Sequence, residues 1–64
     1  MKLYNYVHPR RARKTLEKLR GLHPDCKFWL ENCGNFLLPQ YQHRWLIKMQ
    51  RPDNRTAYVA NPSR

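Results

Sequence analysis

The sequence predicts an α+β fold, one basic helix packed on a small antiparallel sheet, and three observations predict it. Residues 9–20 carry Ala12, Leu16 and Leu19 at helical spacing under a cationic surface. Residues 43–61 alternate apolar and polar side chains on either side of Pro52-Asp53-Asn54, the pattern of a hairpin. With 64 residues the chain has room for one domain, burying only about 60% of its unfolded surface, so helix and hairpin must share one small core.

The elements follow in order. Residues 2–7 read as a strand, with Leu3 and Val7 on one side and Tyr4 and Tyr6 on the other. His8-Pro9 breaks it, and Pro9 suits the first turn of a helix because its missing N–H is not needed there. The helix over 9–20 is expected to stop at Gly21 as a left-handed cap, with Leu22 folding back on Leu19. Glu17 is placed to pair with Arg13 four residues earlier.

Residues 24–38 admit two readings. Cys26, Trp29, Leu30 and Cys33 have helical spacing, with Gly34 as a cap. Alternatively Lys27–Leu30 and Asn35–Leu38 are two short strands joined by Asn32-Cys33-Gly34-Asn35, with Gly34 at a positive φ. Short length and aromatic enrichment favour the hairpin. In the last hairpin, residues 43–50 and 56–61 are the arms, Pro52 sets the first corner, and Asn54 takes the left-handed position. Trp45, Ile47 and Met49 then share an apolar face with Ala57 and Val59. Arg44, Leu46, Lys48 and Gln50 share a polar, basic face with Thr56, Tyr58 and Ala60. The competing helix over 39–50 would leave Tyr58-Val59 without a strand partner. Residues 61–64 read as a loose tail. The expected core is Leu3, Val7, Leu16, Leu19, Phe28, Leu30, Trp45, Ile47 and Val59.

Charge points to the class of partner. Thirteen Lys and Arg face four Asp and Glu, a formal net charge of +9. Such a surplus destabilises the compact state by self-repulsion and attracts polyanions, nucleic acid first. Between residues 10 and 20 there are six cations, Arg10, Arg11, Arg13, Lys14, Lys18 and Arg20, and one acid, Glu17. A merely solvated helix face mixes signs, and this one does not. Guanidinium forks match phosphate oxygens bidentately, and lysines add point charge. A second candidate set is Arg44, Lys48, Arg51, Arg55 and Tyr58 on the C-terminal hairpin, where cations beside an aromatic ring suit a single strand. The same lysines and arginines also fit edge-strand protection. The reading is a small non-enzymatic nucleic-acid-binding regulator of the kind compact phage and mobile-element genes encode. DNA and RNA fit equally. The alternative is an inhibitor module that occupies an acidic surface of a host polymerase or nuclease.

Other classes find little support. The longest apolar runs are three residues, far short of the ~20 that span a bilayer, and no anionic membrane partner is expected. The first residues lack the apolar core of a signal peptide, so the expected location is cytoplasmic. His23, Cys26, Cys33 and His43 follow no common zinc spacing, and the two thiols read as small apolar fillers rather than ligands. No cofactor motif is present, Gly21 and Gly34 are too few for a phosphate loop, and His8, His23 and His43 are scattered. Arg, Lys, His and Tyr alone can still run a metal-free ribonuclease, which needs only a positioned ribose hydroxyl and stabilised phosphate charge. The stretch Leu19-Arg20-Gly21-Leu22-His23-Pro24-Asp25-Cys26, with Arg44-Trp45-Leu46-Ile47 and Ala57-Tyr58-Val59-Ala60-Asn61, resembles the second half of the RelE/HigB group of toxins. The resemblance covers residues 19–61. It implies helices ahead of an antiparallel sheet and cleavage of messenger RNA on the ribosome, with Arg44, Lys48, Arg55 and Tyr58 in phosphate and proton roles.

Overall fold

The computed structural model describes residues 2–34 and 41–62. In chain order these form β1 (Asn5–Tyr6), α1 (Pro9–Leu22), β2 (Lys27–Cys33), β3 (Arg44–Gln50) and β4 (Thr56–Tyr58). Strand β3 is the centre of the sheet. It pairs antiparallel with β2 along its whole length on one side, and with β1 and β4 on the other. Because β1 and β2 both oppose β3, they run parallel to each other, and α1 carries the chain across β3 between them. The architecture is the expected helix on an antiparallel sheet.

The helix buries Ala12 and Leu16 and half-buries Leu19, which is the stripe read from its spacing. Leu16 joins Phe28 and Ile47 in the core, with Tyr4, Tyr6, Leu19, Cys26, Leu30, Met49 and Val59 packed around them. Pro9 occupies the first turn as expected. The end of the helix is different. Gly21 stays helical, and His23 closes α1 by donating its N–H to the Leu19 carbonyl at 2.9 Å, before Pro24 stops the chain. Leu22 stands 63% exposed rather than tucked into the core, and among the described residues the Glu17–Arg13 pair does not form. A C-cap needs only one donor to the orphan carbonyl, and His23 supplies it without a left-handed residue.

Strand β1 is shorter than expected and its sides are exchanged. Tyr4 and Tyr6 face the helix-side core, and Val7 is 58% exposed. The tyrosines bring more apolar area than Leu3 and Val7, and the polar tip of Tyr6 has a partner, since its hydroxyl meets Thr15 Oγ1 of α1 at 2.7 Å. The two rings stack with centroids 6.4 Å apart. Leu3, just before β1, meets Ala60, just after β4, in an isolated antiparallel bridge.

Residues 27–33 form one continuous strand rather than a helix or half of a tight hairpin, so the turn expected at 32–35 is displaced by pairing of Asn32 with Trp45 and Cys33 with Arg44. Gly34 has no positive φ. The second strand expected at 35–38 falls outside the described residues. The hairpin over 43–61 forms, which excludes the helix over 39–50 from residue 44 onward. Asn54 takes φ 69° as its turn chemistry demands. His43 enters β3 at φ 60°.

The largest departure from simple alternation is in β3. Leu46 and Ile47 are adjacent and therefore point to opposite faces, yet both are 0% exposed. The face away from α1, expected to be largely polar with Leu46 on it, is thus covered at its centre. Burying each of these side chains contributes about 1.5–3 kcal/mol. Tyr41, outside the expected core, is also buried, and its hydroxyl accepts the Leu3 N–H at 3.0 Å.

Candidate nucleic-acid interface

All six helix cations are exposed. At 100° per residue, Arg10, Lys14, Lys18 and Arg11 share one broad outer stripe, and Arg13 and Arg20 form a second row on the β2 side, with Glu17 between them. Arg20 is partly spent on structure, because its Nη2 donates to the Phe28 carbonyl at 3.1 Å and so pins α1 to β2. Among the described residues, none of the other five meets a carboxylate. The first turn of α1 holds no acid, and His8 caps it without a side-chain hydrogen bond. Three arginines near the positive end of a helix macrodipole are intrinsically unfavourable, which is the arrangement an anion relieves.

Of the hairpin set, Arg44 meets the helix cations at one edge of the domain. Asn5, Tyr6, Val7 and His8 of the β1–α1 connection, Arg11 of α1 and Arg44 of β3 line a concavity of about 390 Å³. A second of about 470 Å³ adjoins it along His8–Arg11. Among the described residues, no carboxylate lines either one. Arg11 and Arg44, far apart in sequence, therefore present two guanidinium groups to one cleft, and phosphate oxygens match that fork geometry.

The hairpin set is not a uniform patch. Lys48 pairs with Tyr58 across β3 and β4, and its Nζ lies 4.5 Å above the centre of the Tyr58 ring. The Tyr58 hydroxyl donates to Glu31 Oε2 at 3.0 Å, and Trp29 Nε1 donates to Glu31 Oε1 at 3.1 Å. Those hydrogen bonds hold the Glu31 carboxyl below its ordinary pKa, the Trp29 bond most strongly, against the opposing effect of burial. Arg55 sits in the turn, 3.7 Å from Asp53, whose Oδ1 also accepts the Arg55 N–H. Arg51 is exposed beside it. Of the four residues the RelE/HigB resemblance singles out, Lys48 and Tyr58 touch, Arg44 stands about 13 Å along β3 from Lys48, and Arg55 belongs to the turn.

Trp29 and Glu31 are not among the site residues that charge and spacing single out. Their only sequence signal was alternation with Phe28 and Leu30, and the pairing of β2 with β3 was needed to see it. Cys26 packs at the rim of the core as a free thiol, pushed up in pKa by loss of solvent first and by neighbouring Asp25 second. Among the described residues, no three His, Cys, Asp or Glu side chains gather as a metal site would require, and no helix is long and apolar enough to cross a membrane. Comparison of the chain with protein-family models, with curated proteins and with solved structures finds no match.

Proposed function

We propose that this chain is a small, non-enzymatic nucleic-acid-binding protein of regulatory type, held to its ligand chiefly through phosphate contacts from α1 and the Arg11–Arg44 cleft. The observation that carries this reading is the outer face of α1, where exposed cations stand almost without acids and continue into a cleft lined by arginines from two elements. Solvated faces do not need that surplus, and self-repulsion penalises it. Titration of a labelled duplex, a single strand and an RNA at about 50 and 200 mM salt tests it. About five phosphate contacts give a log–log slope near −4.5 on duplex and near −3.5 on a single strand. A slope near zero overturns the reading.

A second reading is favoured by one observation of its own. Leu22, exposed, lines a concavity of about 320 Å³ with Tyr4, Leu19, Val59 and Pro62, and Lys18 stands among them. An apolar groove with a lysine at its wall fits an acidic host protein that the chain would occlude. Retention of a stoichiometric protein partner after nuclease treatment supports it. The ribosome-dependent ribonuclease implied by the RelE/HigB resemblance stands as a further alternative, and expression of wild type beside Arg44→Ala and Tyr58→Ala decides it. Toxicity lost in both variants supports it, and equal growth of all three removes it.

A further inference from the structure

We propose that the sheet face turned away from α1 is a stacking site for unpaired bases, with Trp29 and Tyr58 as the platforms and Lys48 as a displaceable cap, so that the ligand is a single strand. The proposal rests on the nucleic-acid reading above and narrows its ligand.

Register brings the site together. Trp29 of β2 pairs with Lys48 of β3, and Lys48 pairs with Tyr58 of β4, so the three side chains form one row across three strands on one face. Two strand spacings put the Trp29 and Tyr58 backbones about 10 Å apart. All three residues are half-buried, so each keeps part of its surface in water. Neither ring is held by deep burial. Each is held at its polar tip by the same carboxylate, Trp29 Nε1 on Glu31 Oε1 and Tyr58 hydroxyl on Glu31 Oε2. One acid with both oxygens committed to ring donors orients two aromatic planes at once, which removes rotamer entropy before a ligand arrives. An acid on a phosphate-binding face is otherwise unfavourable, and this use explains its presence.

The group seated on the Tyr58 ring is a lysine. Its flexible stem can swing off the ring, and a base has the same preference for a π-face. Exchange of Lys48 for a base frees the ammonium for the adjoining phosphate. Arg44 lies on the same strand, four residues away, and its cleft leads to Arg11 of the helix. Phosphates of a strand stacked on Trp29 and Tyr58 therefore have a cationic route toward α1. A duplex offers phosphates to α1 but hides its bases from these rings.

The test uses the full chain with an oligothymidylate of about 12 nucleotides and a duplex of equal length. The expected results are tighter binding of the single strand, and quenching of Trp29 emission by it but not by the duplex. Trp45→Phe leaves Trp29 as the sole indole for that measurement. Trp29→Leu and Tyr58→Ala lower single-strand affinity about 5- to 150-fold and leave duplex affinity unchanged. Tyr58→Phe, which keeps the ring and the fold, retains most of the single-strand affinity. Unquenched Trp29 emission with the single strand bound, or equal losses on both ligands, overturns the stacking site while the phosphate-binding reading stands. Absence of binding to either ligand overturns both.

Discussion

The outer face of α1 and the far face of the sheet use charge in opposite ways. On the helix, cations are dense, exposed and nearly without fixed partners. On the sheet they are few, and the central one lies on an aromatic ring whose hydroxyl is tied to a carboxylate. Dense mobile charge gives long-range attraction with little geometry, and so supplies affinity that salt screens away. A sparse face with fixed rings gives geometry with little attraction, and so supplies discrimination. One domain of this size holds both because the central strand buries a side chain on each face.

That last point is where the comparison breaks most easily. Leu46→Ala, on the far face, and Ile47→Ala, on the helix face, are each expected to cost about 2–5 kcal/mol in urea unfolding. A cost under ~1 kcal/mol for Leu46→Ala alone would show that the far face is no packed layer. Next in size is the helix itself. Arg11→Ala, Lys14→Ala and Lys18→Ala together should flatten the single-strand salt slope by about 2 while leaving the fold intact, since none of the three supports the core. Unchanged slope would move the phosphate contacts away from α1.

The far face has a signature in pH. Glu31 titrates lower in the folded chain than its ordinary value of 4.5, so its contribution to stability is fully present above the unfolded pKa and is lost as pH falls through the folded one. Stability of wild type should therefore decline on acidification below about pH 4.5 more steeply than that of Glu31→Gln. Parallel acid limbs would separate Glu31 from the two rings. Gly21→Ala should stabilise by up to about 1 kcal/mol, because Gly21 is helical and a Cβ there meets nothing within 4 Å. It adds no charge, so a change in nucleic-acid affinity would show that helix order, rather than helix charge, limits binding. The smallest effect belongs to Arg55→Ala. Its pair with Asp53 is well exposed, with 83% and 56% of the two side chains in water, and stability should change by no more than ~0.5 kcal/mol.

Local rules carried the reading of α1 and of the last hairpin. The Ala12-Leu16-Leu19 stripe, Pro9 at the helix start and Asn54 at a positive φ each depend on a few neighbouring residues, and each is where its chemistry puts it. The end of α1 differs from its sequence expectation because Gly21 and His23 both lie where the helix could close, and a single hydrogen bond decides between them. The cations of α1 were legible in the same local way, and so were Lys48 and Tyr58, which alternation puts on one face of the last hairpin. Trp29 and Glu31 were not, because they acquire meaning only beside Lys48 and Tyr58.

From its amino acids alone this protein is a basic helix on an antiparallel sheet, since hydrophobic period, turn residues and net charge are properties of adjacent positions. Tertiary structure decided which side of β1 faces inward, that Leu46 is buried, that Arg11 and Arg44 share a cleft, and that Trp29, Lys48 and Tyr58 stand in one row. The reason is register. A strand's pattern gives its two faces, but only long-range pairing says which neighbours each face receives and what covers it.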